Sequence, residues 1–425
     1  MSFETISVVG LGYIGLPTAA MFASRRKKVI GVDVNQYAVD TINRGEIHIV
    51  EPELDMIVHS AVTEGFLRAT TTPESADAFL IAVPTPFKET ADNLGDSSIP
   101  EPDLSYIQAA SKAIAPVLKK GDLVILESTS PVGATEQMAE WLAAARTDLS
   151  FPQQNGEESD IRIAHCPERV LPGHVVRELV DNDRVIGGMT LKCSQAAIEL
   201  YKTFVQGECV VTNARTAEMA KLTENSCRDV QIAFANELSI ICDKLDIDVW
   251  ELISLANRHP RINILQPGPG VGGHCIAVDP WFIVSKTPKE AQIIHNARRV
   301  NDSKPEWVIN KVKLAIADFL EANPDKTVKD VTVACYGLAF KPDIDDLRES
   351  PALDITKALS EIHSGQIFAV EPNVDVLPTE FKSIELVDFE KAKELADVHV
   401  LLVDHKDFKQ SKLSSEFLVD TKGIW

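Results

Sequence analysis

The sequence predicts an α/β protein with a doubly wound parallel sheet at each end and a helical section joining them. Three observations carry this. Short apolar strand runs alternate with helical patterns through the first part of the chain and return near Val331. Between them the pattern is long and helical. VVGLGYIGLP followed by IGVDVN is faintly echoed by VACYGLAFKP followed by FAVEPN, which marks two Rossmann-like halves. A chain of 425 residues is also long enough to need more than one core.

Residues 6–9 form a β-branched run that stops at Gly10, and a helical pattern follows over Gly15–Ser24. Lys28–Val32 is a second strand ending at Asp33, and the apolar runs 78–83 and 123–127 add two more. The polar stretches 88–102 and 146–162 read as surface loops. Residues 216–246, without Gly or Pro, predict one long helix, and about 288–321 predicts another. VTVACYG is then a strand, 350–364 a helix, and 366–370 and 398–403 further strands. The expected division is a dinucleotide-binding domain over 1–212, a helical domain with a cysteine loop over 213–322, and a second α/β domain over 323–425.

The 42 Lys and Arg against 63 Asp and Glu leave a formal net charge of −21, which repels nucleic acid and anionic lipid. Nucleic-acid binding is thereby excluded, and an anionic ligand needs a local basic cluster. The seven Cys contain no CxxC pair, so neither a zinc site nor a disulfide scaffold is expected, and no metal is assigned. No run approaches the ~18 apolar residues of a membrane span, and the N-terminus lacks a leader pattern. A reducing cytoplasm, without membrane partners, is the expected compartment.

Gly10, Gly12 and Gly15 fit GxGxxG directly after a strand and at the opening of a helix. Gly10 permits the sharp turn, Gly12 lets backbone approach a pyrophosphate, and Gly15 allows close helix–sheet packing. Asp33 would bind the adenine-ribose 2′-OH and repel a 2′-phosphate, favouring NAD over NADP. VPTP and ESTSPVG each follow an apolar run, which would set Thr85, Thr129 and Thr135 at carboxyl ends of strands, where such sheets bind ligands. Taken alone, each Thr reads better as an ordinary turn or cap residue.

QPGPGVGGHCIAVDPWF, residues 266–282, packs Gly268, Gly270, Gly272 and Gly273 around one thiol. Backbone so costly to order suits a loop that wraps a ligand and presents one side chain, making Cys275 the nucleophile candidate. Cys166, Cys193, Cys209, Cys227, Cys242 and Cys335 lie in apolar or helical settings and read as small buried hydrophobes. Lys221, Asn225 and Arg228 share a helical face at i, i+4 and i+7, with Glu224 beside them. That face is either a solvated stripe or a set of acid–base and oxyanion partners. Basic residues gather at Arg258, His259 and Arg261, at Arg169, and at Lys341 and Arg348. They supply either a cationic pocket for a diphosphate or scattered surface ion pairs.

Through GLGYIGLP, VPTP, ESTSPVG, PERVLPG, AEMAKLTEN, PGVGGHCIAVDP and GLAFKPDIDDLRESPA, the chain resembles the UDP-glucose/GDP-mannose dehydrogenase family over nearly its whole length. The resemblance implies Cys275 as nucleophile and Lys221 as acid–base residue, with Asn225, Asp279, Glu168 and Thr129 assisting. It implies NAD contacts at Gly10, Gly12, Tyr13, Ile14, Gly15, Asp33, Thr85, Thr135 and Arg348. It implies UDP-sugar contacts at Arg169, Val170, Lys221, Asn225, Arg228, His259, Arg261, Gly272, Phe340 and Lys341. In the family the basic loop can reach the neighbouring subunit, which implies a homodimer and raises Arg261 as a residue acting in trans.

Enzymes of the family that oxidise UDP-glucose usually carry a second carboxylate after the PE pair, where this chain has Pro172, so of the two only Glu168 remains. That departure favours an N-acetylhexosamine. The implied reaction is the four-electron oxidation of UDP-N-acetyl-D-mannosamine at C6 to the mannosaminuronate, for a bacterial surface polysaccharide such as enterobacterial common antigen. The 88–102 stretch is longer than the family's usual one and carries no functional assignment. Two rivals stand: a UDP-glucose or UDP-N-acetylglucosamine 6-dehydrogenase, and an NAD-binding sensor or scaffold whose cysteine loop is only structural.

Overall fold

A computed structural model describes residues 3–49, 51–88, 99–171, 173–378, 381, 383–411 and 413–425. The chain folds into two compact units, Met1–Glu224 with Trp281–Thr287, and Asn225–Pro280 with Pro288–Trp425.

The first unit is built on β1 (Thr5–Val9), β2 (Lys28–Val32), β3 (Leu67–Thr70), β4 (Ala78–Ile81), β5 (Leu123–Leu126), β6 (Arg162–His165), β7 (Arg184–Gly188) and β8 (Cys209–Asn213). They lie in the order β3-β2-β1-β4-β5-β6-β7-β8. Neighbours run parallel except β6 and β7, an antiparallel pair within a sheet expected to be parallel. Ile6, Val8, Leu80 and Ile125 pack into one core, while Val9, Phe79, Ile81 and Val124 pack into another on the opposite face. Burial on both faces explains why these strands read as unbroken apolar runs. Strand order reverses beside β1, and ligands of such sheets sit outside the carboxyl ends of the strands flanking that reversal.

The second unit contains β9 (Val333–Tyr336), β10 (Ile367–Val370), β11 (Ile384–Leu386), β12 (Val398–Leu401) and β13 (Leu418–Asp420), ordered β11-β10-β9-β12-β13 and parallel throughout. This repeats the arrangement around β1, so the faint sequence echo is a structural repeat. Gly10 N–H donates to the Val32 carbonyl and Gly337 N–H to the Val370 carbonyl, both at 2.8 Å. Both glycines have positive φ, +92° and +87°.

Two helices of 31 residues occupy the middle of the sequence, Ala214–Lys244 and Gln292–Ala322. The first contributes residues to both units. The second starts four residues later than the sequence pattern implies and contains Pro305, which withdraws one N–H from its ladder.

The stretch 146–162 departs from expectation. It holds a short helix, Pro152–Asn155, with Pro in the first turn, and Phe151 and Ile161 are fully buried, so two apolar anchors override its polar composition. Of the 88–102 stretch, residues 89–98 lie outside the described residues, as does Pro172. Its described ends are tied together, Lys88 N–H donating to the Glu101 carbonyl at 2.8 Å and Asp103 N–H to the Pro86 carbonyl at 2.7 Å. Among the described residues no helix is long and apolar enough to cross a membrane.

Candidate active site

The glycine turn after β1 separates what the chain needs from what a ligand needs. A Cβ at Gly10 would sit 2.5 Å from the Ala82 carbonyl oxygen, and one at Gly15 only 1.7 Å from that of Gly10. Gly12 has nothing within 4 Å, so internal packing does not require its missing side chain. Close approach of this backbone to a pyrophosphate would. The N-cap residue Ile14 of the helix Gly15–Ser24 makes no side-chain capping bond, which leaves that helix end suited to a pyrophosphate. Tyr13 is exposed beside it. Asp33, half-buried at the end of β2, accepts Leu11 N–H at 2.8 Å and Asn35 N–H at 2.9 Å, so it shapes the glycine turn as well as bounding the strand. These features fit a dinucleotide.

Thr85 donates its hydroxyl to the Thr129 carbonyl at 2.6 Å, joining the loops that follow β4 and β5. Thr135 is fully buried, and both its N–H and its hydroxyl donate to Glu218 Oε1, at 2.8 and 2.6 Å. The other Glu218 oxygen accepts Gly133 N–H at 2.6 Å. Burial raises the Glu218 carboxyl, against the pull of the Thr135 and Gly133 donors. Thr135 is therefore committed to a carboxylate within the chain. Glu218 was not singled out from the sequence, although it lies inside AEMAK, where a buried acid one turn before Lys221 was visible.

The loop 168–175 is also held by a carboxylate. Glu51, nearly buried, accepts Gly173 N–H at 3.0 Å and Val175 N–H at 2.8 Å. Glu168 is buried, and among the described residues its Oε1 has no hydrogen-bond partner. Burial pushes its carboxyl from 4.5 up to about 7, with Lys221 and Arg184 pulling the other way. Arg184, also buried, donates to Glu127 Oε1 at 3.0 Å and lies 4.4 Å over the Tyr201 ring. The Tyr201 hydroxyl donates to the same oxygen at 3.1 Å. Arg169 pairs with Glu224 at 2.7 Å, and Val170 packs against the core.

In the second unit, the exposed Cys275 uses its carbonyl to accept Val278 and Asp279 N–H, at 3.1 and 2.9 Å. That turn opens the helix Asp279–Lys286. Asp279 is buried and accepts Asn225 Nδ2 at 2.5 Å. Cys275, Asp279 and Asn225 are thus gathered around one turn. A Cβ at Gly272 would lie 2.4 Å from the Glu349 carbonyl oxygen and 3.1 Å from Phe340 Cβ, which explains the glycine and seats Phe340 on the loop. Lys341, Arg228, His259 and Arg261 are exposed, and Arg261 N–H donates to His259 Nδ1 at 3.3 Å. Arg348 forms a forked pair with Asp346 at 2.8 and 2.6 Å.

Leu338 and Ala339 donate backbone N–H to Glu371 Oε2 at 2.7 and 3.1 Å, and His405 Nε2 lies 3.0 Å from the same oxygen. Burial raises the Glu371 carboxyl, but His405 and the backbone donors outweigh it, leaving it below its ordinary value. Among the other cysteines, Cys166, Cys193, Cys242 and Cys335 are buried as expected and Cys209 is half-buried. Cys227 is exposed, contrary to expectation, because it shares the solvent side of its helix with Arg228.

Two Rossmann-like sheets, one with an intact dinucleotide turn, and a glycine-rich loop presenting one thiol define a nucleotide-dependent oxidoreductase. The chain belongs to the UDP-glucose/GDP-mannose dehydrogenase family, whose NAD binding domain matches residues 4–205, central domain 215–303 and UDP binding domain 334–425. A UDP-N-acetyl-D-mannosamine dehydrogenase of Yersinia pestis is 67% identical over the full length of both chains. An NDP-N-acetyl-D-galactosaminuronic acid dehydrogenase of Ralstonia nicotianae is 62% identical, covering 100% of this chain and 97% of that protein. The solved UDP-D-ManNAc dehydrogenase of Pyrococcus horikoshii superposes with a TM-score of 0.84 at 37% identity, covering 99% and 96% of the two chains.

The glycine geometry separates two variants. Gly15→Ala should cost at least about 2 kcal/mol of stability, since its Cβ meets backbone and not a yielding side chain. Gly12→Ala should leave the melting temperature nearly unchanged yet weaken NAD binding about tenfold or more. Thermal melts and NAD titration of both proteins check this.

Proposed function

We propose that this protein is an NAD-dependent UDP-N-acetyl-D-mannosamine 6-dehydrogenase that carries its substrate through both oxidations on Cys275. The single observation that carries the reading is the turn placing an exposed thiol four residues before Asp279, with Asp279 bound to Asn225. The Yersinia and Pyrococcus similarities and the absence of a second carboxylate at Pro172 support the N-acetylmannosamine substrate. The Ralstonia relative favours an N-acetylgalactosamine nucleotide as the second reading.

Gly10, Gly12, Tyr13, Ile14, Gly15, Asp33 and Thr85 are the residues assigned to NAD, with Arg348 and with Thr135 through the loop that Glu218 holds, and when bound NAD accepts a hydride from substrate carbon. Phe340, Lys341, Arg169, Val170, Arg228, His259, Arg261 and Gly272 are assigned to the UDP-sugar. Lys221, or a water on Asp279, takes the C6 hydroxyl proton as the alcohol is oxidised to an aldehyde. The Cys275 thiolate adds to that aldehyde, and the resulting thiohemiacetal keeps it from escaping. Transfer of the second hydride to a second NAD would leave a thioester, which water hydrolyses to the carboxylate and the regenerated thiol. Lys221 and Asn225 stabilise the oxyanions, Thr129 assists at its loop, and Glu168 receives a proton from the attacking water.

The division into domains 1–212, 213–322 and 323–425 belongs to the same proposal. So does a homodimer, supported by exposed Phe234 and Ile241, seven residues apart on the helix Ala214–Lys244, and by exposed Leu245 just past its end. A cytoplasmic site and a role in a surface polysaccharide such as enterobacterial common antigen complete it.

Purified protein offered a panel of UDP-sugars should form the uronate of UDP-N-acetyl-D-mannosamine fastest, with a ratio of about two NADH per sugar because four electrons leave one carbon. Cys275→Ser should abolish net acid formation. A sensor or scaffold shows no turnover with any sugar.

Glu168 sets a pH signature. Its carboxyl is poised near 7, so hydrolysis should slow as pH falls through that value and the acid limb should vanish in Glu168→Gln. The folded state holds this proton up to about 7, whereas the unfolded chain releases it near 4.5. Its contribution to stability is therefore present below 4.5 and lost as pH rises to 7. Melting temperatures of Glu168→Gln should lose that part of the pH dependence.

A further inference from the structure

We propose that Asn236 is a positioning residue for the cysteine loop, holding one end of it through a hydrogen-bond chain whose direction a buried ion pair dictates. The proposal rests on the reading of Cys275 as nucleophile. Asn236 is fully buried in the middle of the helix Ala214–Lys244, where an asparagine gains nothing from helix propensity. Its Oδ1 accepts Gly268 N–H at 2.9 Å, and its Nδ2 donates to Asn301 Oδ1 at 2.9 Å. Asn301, in the second long helix, donates its own Nδ2 to Asp229 Oδ1 at 2.8 Å and to the Asp229 carbonyl at 3.1 Å. Asp229 is held by Arg298 at 2.6 Å, with both side chains buried.

A carboxylate only accepts, so Asn301 must turn its NH2 group to Asp229 and its oxygen to Asn236. Asn236 must then turn its NH2 group to Asn301 and its oxygen to the loop. Neither amide can reverse without setting like groups against each other, and the orientations follow from the network.

The same helix holds the other end of the segment. Asn225 binds Asp279, and Asn236 lies 11 residues further on, about three turns along the same face. Residues 268–279, with Cys275 among them, are therefore fastened at both ends to one helical face by two asparagine amides. Between these ends the loop packs closely on its neighbours, a Cβ at Gly270 falling 2.9 Å from Pro351 Cβ and Gly273 N–H donating to the Glu349 carbonyl at 3.1 Å. Loosening the Gly268 end would leave the thiol tied through Asp279 but displaced from its working position.

The test uses the full-length enzyme with Asn236→Leu, which removes the acceptor, and Asn236→Asp, which keeps it but sets a carboxylate against Asn301 Oδ1. Ser239→Ala is the control. Ser239 donates to the Asn236 carbonyl at 2.6 Å and accepts from the buried Lys304 at 2.5 Å, so its loss disturbs the same helix without touching the amide chain. Iodoacetamide labelling of Cys275 is followed by mass spectrometry against exposed Cys227 as internal reference, together with hydrogen exchange over 266–275, kcat and KM.

Both Asn236 variants should lower kcat about tenfold or more while KM for NAD stays within about twofold. Each should change the Cys275 labelling ratio at least about threefold and speed exchange of the loop. If either variant fails to fold, Asn301→Ala breaks the next link and should give the same pattern. Unchanged labelling and kcat in the folded variants, or an equal effect from Ser239→Ala, overturns the proposal. Net acid formation by Cys275→Ser would instead overturn the nucleophile reading, and labelling and exchange would still score the loop.

Discussion

Carboxylates that accept backbone N–H groups from the ligand loops are the interaction on which the site depends. Asp33 holds Leu11, Glu51 holds Gly173 and Val175, Glu218 holds Gly133 and Thr135, and Glu371 holds Leu338 and Ala339. Each of these loops contains or adjoins residues assigned to NAD or the UDP-sugar. Glycine-rich backbone is costly to order, and a charge-assisted bond to a backbone donor, about 1.5–3 kcal/mol, offsets that cost where no side chain can pack. A chain with 63 acidic residues therefore places some of them beneath these loops and not only on its surface.

The repeated sheet shows how one topology yields two different nucleotide sites. Asp33 and Glu371 both follow the strand next to the central one, and both tie the turn after that central strand. Asp33 is only half-buried and takes the Leu11 and Asn35 N–H groups. Glu371 is 5% exposed, takes three backbone donors, Leu338, Ala339 and Asn373, and is met by His405, so it is turned wholly inward. Topology repeats while the ligand differs, because the function of such a fold resides in a few loop residues.

Around Glu168 the electrostatics is set at one remove. Arg184 and Glu127 largely neutralise each other inside the sheet, with Tyr201 covering the guanidinium and bonding the carboxylate. Glu168 is then left buried with an oxygen that no described residue partners, which is how a carboxyl comes to titrate near neutrality. Glu127 and Arg184 are 57 residues apart in sequence, and neither was marked as part of the site.

Local signals determined much of this protein. The strand–turn–helix around Gly10, the span of the first helix, the second strand and the long helix beginning near Thr216 follow from β-branched runs, glycine placement and 3.6-residue periodicity, which are properties of neighbouring residues. Cys275 stood out because the glycines around it made the loop's conformational cost legible. Tertiary structure alone decided the antiparallel turn of β7, the buried anchors of 146–162, the commitment of Thr135 to Glu218 and the exposure of Cys227. These rest on partners distant in sequence: a carboxylate reads as surface charge until the fold brings a backbone donor to it and removes the water.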